Sequence, residues 1–169
     1  MSTNPSHWQA CFKATSIGPI LLTFTEKGLA GLEFTDCPVD AAPIPEALKP
    51  MVNEVTRSLK DYFAGGATDD PRIPVDLEGT PFQLQVWQAL RDIPPGKTIS
   101  YKALAQRLGK PQAARAVGQA VGANPIPLII PCHRVIKADG SLGGFSSGPE
   151  RKRWLLEHEG VGGGPGIFL

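Results

Sequence analysis

The sequence predicts a mixed α+β fold in two lobes, a small antiparallel sheet with one helix followed by a largely helical region. Three observations predict it. Short strand-forming stretches follow one another in the first half, capped helical segments fill the second half, and the net charge changes sign between them. A chain of 169 residues can bury a core as one domain or as two small lobes. We expect the lobes at residues 1–79 and 80–169.

The first lobe begins with three strand-forming stretches. WQACFKAT, PILLTFT and LAGLEF are separated by SIG and EKG, which are good turn sequences, so they predict a three-stranded antiparallel meander. After a proline-rich loop, apolar residues recur at helical spacing from Leu48 to Phe63, and Gly65 and Gly66 end this helix. RIPVDL predicts one further short strand.

The second lobe carries three helical segments with recognisable ends. TPFQ is a capping box with proline at the first helical position, and it opens a helix to about Asp92. Ser100 caps YKALAQRL, which Gly109 ends, and Pro111 opens QAARAVGQAV, which Gly122 ends. Two short helices joined by a glycine-containing turn predict a helix-turn-helix.

The charge distribution indicates a polyanionic partner for the second half. Residues 1–90 carry 6 Lys/Arg against 11 Asp/Glu, whereas residues 91–169 carry 11 against 5. The second helix of the helix-turn-helix is rich in alanine and has Arg115 as its one long cationic side chain. Small residues let a helix approach a narrow groove, and an inserted arginine can occupy the space of an extruded base. The alternative is a helical hairpin whose alanines pack on the core.

Composition excludes several classes of protein. No apolar run has the roughly 18–20 residues of a membrane span, and the N-terminus lacks a secretory signal pattern, so we expect a cytoplasmic protein, or a nuclear one in a eukaryote. Cys11, Cys37 and Cys132 are odd in number, so we expect three free thiols in a reducing compartment. With His7, the first two match no zinc-ligand spacing, and we expect neither a metal nor a cofactor.

The stretch IPLIIPCHRVI carries the candidate chemistry. Its branched residues predict a buried strand, with prolines limiting its ladder hydrogen bonds, and Cys132 could be a small buried hydrophobe. His133 and Arg134 are the neighbours that would lower the pKa of a thiol. Successive side chains of a strand point to opposite faces, so a bridging water or a kink at Pro131 would have to link the thiol to the imidazole.

A histidine acting as base also needs a carboxylate to orient it, and two are available near the end of the helix PERKRWLLEHEG. These are Glu157 and Glu159. A Cys-His-Glu relay suits a protease, an acyltransferase or an alkyl-group acceptor, and the relay alone does not choose among them.

The segment ISYKALAQRLGKPQAARAVGQAVGANPIPLIIPCHRVI resembles the C-terminal domain of the O6-alkylguanine-DNA alkyltransferases. PCHR, ARAVG and NPIP fall in the order and spacing of that family, and the resemblance is dense from Thr80 to Gly160. It implies a ribonuclease-H-like first lobe and a winged-helix-like second lobe that carries the active site. It also implies single-turnover direct repair, in which an alkyl group moves irreversibly from guanine O6, or thymine O4, in double-stranded DNA to the cysteine. We expect a monomer in solution.

The same resemblance implies a role for each matching residue. Cys132 is the alkyl acceptor, His133 the water-linked base, and Glu159 the carboxylate that orients it. Asn124 is the hinge between the recognition helix and the active-site loop, Tyr101 helps to rotate the nucleotide and protonates the departing guanine, and Arg115 replaces the flipped base. The remaining positions implied to lie at the DNA or the lesion are Lys102, Lys110, Ala114, Val135, Phe145, Ser146 and Lys152.

One departure and two alternatives stand beside this reading. Phe145 stands where the family usually has tyrosine, and serines follow where glycines are common, so the preferred alkyl group stays open. A non-catalytic protein that binds alkylated bases is one alternative, although such relatives lack the cysteine. A transcriptional regulator that uses only the helix-turn-helix is the other.

Overall fold

The computed structural model of the protein describes residues 6–13, 15–66 and 73–161. The chain divides into two compact units, Met1–Glu78 and Gly79–Leu169, called here the N-terminal and C-terminal units. The mixed α+β class predicted from the sequence is confirmed. No helix among the described residues is long and apolar enough to cross a membrane.

The N-terminal unit contains the predicted meander and helix. Its elements are β1 (Trp8–Phe12), β2 (Ile20–Phe24), β3 (Leu29–Phe34) and α1 (Lys49–Phe63). The strands pair antiparallel in the order β1-β2-β3, and Ile20, Leu22 and Phe24 alternate as fully buried residues along β2. The ring of Phe12 stacks 6.2 Å from that of Phe63, which brings α1 against the sheet.

The expected strand at RIPVDL is reduced to one bridge. Val75 pairs with Leu29 in parallel, and the Leu29 N–H donates to the Pro74 carbonyl over 2.9 Å. A Cβ on Gly28 would lie 2.7 Å from that carbonyl oxygen, so the close approach requires glycine. Arg72, at the start of the predicted strand, lies outside the described residues.

The expectation of three free thiols was wrong for two of them. Cys11 in β1 and Cys37 beyond β3 form a disulfide with their Cα atoms 5.8 Å apart, a normal separation for such a bond. An odd cysteine count cannot exclude one pair, and the chain turn after β3 that brings Cys37 to Cys11 has no local sequence signal. The bond also removes two of the three side chains considered as zinc ligands, and no metal-binding group of three or more His, Cys, Asp or Glu occurs among the described residues.

The described residues of the C-terminal unit form four α-helices and a two-stranded parallel sheet. They are α2 (Pro81–Arg91), β4 (Ile99–Ser100), α3 (Tyr101–Arg107), α4 (Ala114–Gly122), β5 (Val135–Ile136) and α5 (Pro149–His158). The capping box predicted at Thr80 is present, and the Ser100 hydroxyl accepts from the Ala103 N–H over 3.0 Å as predicted. The buried indole of Trp87 donates to the Ala120 carbonyl over 2.8 Å, which ties α2 to α4.

The helix-turn-helix is present, but its second helix starts later than predicted. Residues 111 and 112 form a turn, the Ala113 N–H donates to the Lys110 carbonyl, and α4 begins at Ala114 rather than at Pro111. Gly122 is the last helical residue rather than the residue that follows the helix. The turn is therefore longer and the recognition helix shorter than the sequence pattern indicated.

The predicted strand through IPLIIPCHRVI was also wrong. The segment is buried, but Leu128 has a φ of 76°, Cys132–Arg134 forms a 3₁₀ turn, and only Val135–Ile136 is strand. Prolines at 125, 127 and 131 lack the N–H groups of a ladder, so the buried backbone is satisfied by other partners. Successive side chains of a 3₁₀ turn point about 120° apart, and this directs the functional groups described below.

Candidate active site

Cys132 lies at a cavity within the C-terminal unit. The cavity has a volume of about 280 Å³, and its wall combines residues from α3, α4 and the loop before α5, namely Tyr101, Gly118, Val121, Gly122, Cys132, Gly144, Phe145 and Ser146. The Cys132 residue is free and only 4% exposed. Four predicted site residues, Tyr101, Cys132, Phe145 and Ser146, thus meet at one cavity.

The contribution of α4 to this wall was not predicted. Gly118, Val121 and Gly122 line the cavity on one side of the helix. The Tyr101 ring packs against Gly118, where a Cβ would make an ordinary van der Waals contact at 3.6 Å. The small residues along α4 were the available signal, but they predicted groove binding or packing on the core rather than a cavity wall.

Asn124 holds the chain that leads to the cysteine. Its Nδ2 donates to the Ile130 carbonyl over 2.7 Å, and its Oδ1 accepts from the Ile126 N–H over 2.9 Å. The Cys132 N–H donates to the same Ile130 carbonyl over 2.7 Å. One buried amide therefore replaces the missing ladder bonds and sets the path of the chain from α4 to the thiol.

The resting thiol is neutral. Burial raises the pKa of Cys132 to about 11, against a hydrogen bond from Asn124 and the charge of Lys152, both of which lower it. Arg134 was expected to supply the cationic charge beside the thiol, but its side chain contacts Glu159 instead, and Lys152 takes that part. The thiol therefore needs a proton acceptor, because burial alone disfavours the thiolate.

His133 follows Cys132 in the chain, and its ring contacts Glu159. His133 Nε2 lies 2.6 Å from Glu159 Oε2, and both side chains are almost completely buried. Glu157, the other candidate carboxylate, is exposed and extends into solvent. Among the described residues, Nδ1 of His133 is buried without a hydrogen-bond partner.

Burial favours the neutral form of His133. Burial lowers the pKa of His133, and this outweighs the contact with Glu159, which acts in the opposite direction. For Glu159, burial would raise the pKa, but hydrogen bonds and charge from His133 and Arg134 prevail and lower it. With the imidazole proton on Nε2, facing an ionised carboxylate, Nδ1 carries the free lone pair and is able to accept a proton.

Lys152 lies behind the cavity rather than in its wall. It is fully buried, and its Nζ donates to the carbonyls of Val135 over 2.6 Å and Gly144 over 3.1 Å. Burial lowers the pKa of Lys152 to about 8, and the charge of Cys132 acts against this change. Val135 is fully buried as well and is not among the cavity residues. Lys152 thus reaches the cavity wall through its hydrogen bond to the Gly144 carbonyl.

Tyr101 presents its hydroxyl to the loop opposite α4. A Cβ on Gly143, where φ is 73°, would lie 3.1 Å from Tyr101 Oη, so glycine is required by both the backbone and the close approach. Burial, and then the charge of Cys132, raise the pKa of Tyr101. The phenol therefore keeps its proton and faces the cavity as a donor.

The cationic residues predicted to meet DNA lie on the helix-turn-helix. Lys102 of α3, Lys110 of the turn and Arg115 of α4 are exposed, and Ala114 is half-buried at the first position of α4. Lys110 Nζ lies 4.9 Å from the centre of the Phe82 ring, a cation–π distance. The exposed cations and the small first residue of α4 together form the predicted binding surface.

Comparison with known proteins agrees with this arrangement. Residues 81–161 match the family model of the 6-O-methylguanine DNA methyltransferase DNA binding domain, and residues 12–77 match that of its ribonuclease-like domain. A methylated-DNA–protein-cysteine methyltransferase of Methanosarcina barkeri is 45% identical over 149 residues, which cover 85% of this chain and 91% of that protein. The chain belongs to the methylated-DNA–protein-cysteine methyltransferase family.

Other members of the methyltransferase family show the same relation. The Salmonella typhimurium protein of the same name is 55% identical over 102 residues, and that match spans 60% of this chain and 60% of the relative. The crystal structure of the Mycobacterium tuberculosis O6-methylguanine methyltransferase superposes with a TM-score of 0.76 at 41% identity, covering 90% of this chain and 92% of that one. A structure of M. tuberculosis OGT in complex with DNA gives 0.75 at 43% identity, covering 88% and 90%.

The buried neutral histidine predicts a specific pH dependence of stability. An unfolded chain takes up a proton on His133 near its ordinary pKa of 6.5, whereas the folded protein resists it, so the free energy of unfolding falls as pH falls below 6.5. The slope approaches about 1.4 kcal/mol per pH unit. Urea unfolding between pH 7 and 5 measures this slope. Protonation of Glu159 changes the free energy of unfolding only at lower pH.

The matched controls are His133→Gln, which loses this slope, and His7→Gln, which keeps it because His7 is exposed. Equal slopes in the wild type and in His133→Gln would contradict a neutral buried imidazole.

Proposed function

We propose that this protein is a single-turnover methylated-DNA–protein-cysteine S-methyltransferase that repairs DNA by direct reversal. It transfers an alkyl group irreversibly from O6 of guanine, and from O4 of thymine as a secondary substrate, to Sγ of Cys132. The observation that carries the proposal is a free thiol at a cavity with a buried His133–Glu159 pair beside it in the fold. The family relation supports the same reaction.

The proposed reaction begins with loss of the thiol proton. A water between Cys132 and His133 carries that proton to Nδ1, the buried nitrogen left without a partner among the described residues. Asn124 and Lys152 stabilise the thiolate as it forms, since both lower the pKa of Cys132 against the effect of burial.

The transfer step forms an S–C bond and breaks the C–O6 bond. The electron pair of that bond stays on guanine, which leaves more easily when it takes the proton of the Tyr101 hydroxyl. The product on the protein is a thioether. An alkyl thioether is stable to water, so each protein molecule acts once.

Access to the target atom requires the base to leave the duplex. O6 is not reachable by a buried thiol while the base is stacked, so the nucleotide rotates into the cavity and Arg115 of α4 takes its place. Lys102 and Lys110 contact phosphates, and the small Ala114 lets α4 approach the minor groove. A related protein has been solved in complex with DNA, which supports DNA binding by this chain.

The partner in this proposal is double-stranded DNA that contains O6-alkylguanine. The protein binds it as a monomer, in the cytoplasm or, in a eukaryote, in the nucleus. Phe145 and Ser146 line the cavity, so they are the positions at which the size and polarity of the alkyl group are read. The apolar ring of Phe145 offers no hydroxyl to the lesion, which favours apolar alkyl groups over polar ones.

Incubation with a duplex containing one O6-methylguanine tests the function. We expect one methyl-sized mass increase per chain, on the peptide that contains Cys132, and restoration of guanine in the DNA. Cys132→Ala gives neither product but still binds the damaged duplex, and an undamaged duplex gives no adduct. If the wild type binds the lesion without forming an adduct, the protein is instead a non-catalytic alkylated-base binder. If it binds undamaged DNA in a sequence-specific manner, it is a regulator.

Arg115→Ala tests the proposed replacement of the flipped base. Because free O6-benzylguanine needs no flipping, the variant should react with it at the wild-type rate, whereas repair of a duplex should slow by about 10–100-fold, equivalent to the few kcal/mol of unstacking. Arg57→Ala, an exposed arginine of α1, is the control and should leave both rates unchanged. Equal losses on both substrates would remove the stacking role of Arg115.

A further inference from the structure

Arg134 is a buried cation of the C-terminal unit to which the proposed reaction assigns no role. It is fully buried, and its Nε donates to Glu159 Oε1 over 2.7 Å. Its Nη2 also donates to Oε1, and its Nη1 donates to the carbonyl of Ile93 just beyond α2. A buried arginine needs such a complete set of acceptors, but the choice of Glu159 links it to the reaction.

The two oxygens of Glu159 are divided between two partners. Oε1 accepts both short bonds from Arg134, whereas Oε2 faces His133 Nε2 at 2.6 Å and has only a long 3.4 Å contact with Arg134. The guanidinium therefore fixes the carboxylate plane that the imidazole meets. A lysine could supply the charge, but it lacks the planar fork that sets this orientation.

Charge compensation gives Arg134 a second effect. The side chain of Glu159 is 2% exposed, and Arg134 balances its negative charge within the same buried cluster. His133 then has no need to carry a proton on both nitrogens. Without the guanidinium, the buried carboxylate would have the imidazolium as its nearest compensating cation, and a doubly protonated ring has no lone pair on Nδ1.

We propose that Arg134 is a positioning residue of the alkyl transfer, which acts through Glu159 to keep His133 neutral with its Nδ1 lone pair directed away from the carboxylate. The inference rests on the proposed function and adds a residue outside the cysteine, histidine and glutamate relay. It also gives the adjacent His133 and Arg134 a common purpose, because both side chains of this 3₁₀ turn contact the Glu159 carboxylate.

The groups that act on His133 come from each element packed on the turn. From α5 and its C-cap these are Lys152 and Glu159, and from its own turn Arg134. On the side of α2, Arg134 donates a hydrogen bond to the Ile93 carbonyl. Lys152 favours neutral His133 in the same direction as Arg134, but it bonds Val135 and Gly144 and makes no contact with the carboxylate among the described contacts.

The test compares Arg134→Gln, Arg134→Lys and the wild type in their rate of thioether formation with free O6-benzylguanine from pH 5.5 to 9. Arg134→Gln should move the acid limb of the profile to higher pH, so the loss of rate relative to the wild type should be largest at pH 5.5 and smallest at pH 9. Arg134→Lys should restore the position of the limb, because the charge remains, with a lower plateau. Arg107→Gln, an exposed arginine at the end of α3, should change neither.

A loss by the same factor at every pH in Arg134→Gln would overturn the inference, since a purely structural role lowers the amount of active protein without moving the limb. If Arg134→Gln does not fold, nitrogen-15 spectra of histidine in the wild type decide. A neutral His133 with its proton on Nε2 at pH 7 supports the inference, and a doubly protonated ring overturns it. Failure of the wild type to react with either O6-benzylguanine or methylated duplex would contradict the proposed function instead, and the spectra would still test the protonation state that the inference assigns to His133.

Discussion

Exclusion of water from three ionisable side chains is the constraint on which the site depends. Cys132, His133 and Glu159 are all nearly or fully buried, and burial disfavours the charged form of each. Burial keeps the thiol and the imidazole neutral, whereas contacts from His133 and Arg134 keep the carboxylate ionised. The resting protein thus holds an acid, a base and a fixed negative charge in sequence, with the proton not yet moved.

The elements that local chemistry determines were predictable from the sequence. Thr80 and Ser100 cap the helices that they were expected to cap, since a hydroxyl at the N-cap bonds an N–H three residues on. The meander followed from three stretches of strand-forming residues. Glu159 was a candidate carboxylate because it lies near the end of the helix PERKRWLLEHEG. These signals lie within a few residues of the feature that they predict.

The predictions that were wrong concern features that depend on contacts between residues distant in the sequence. The segment before Cys132 has the composition of a strand, but the Asn124 amide satisfies its backbone and a 3₁₀ turn replaces the final extended residues. Arg134 was expected beside the thiol and instead bonds a carboxylate 25 residues away, and Cys11 pairs with a cysteine 26 residues on. A pattern of residue types contains no information on which of several buried partners a side chain will meet.

The destination of the transferred carbon tests the central claim most directly. A duplex whose O6-methyl group is labelled with carbon-13 can be mixed with one equivalent of protein and followed by NMR. The account predicts that the label leaves its oxygen-bound position and appears as one sulfur-bound methyl signal per chain, absent when Cys132→Ser protein is used. A label that stays on guanine, or that is released as methanol, would contradict it.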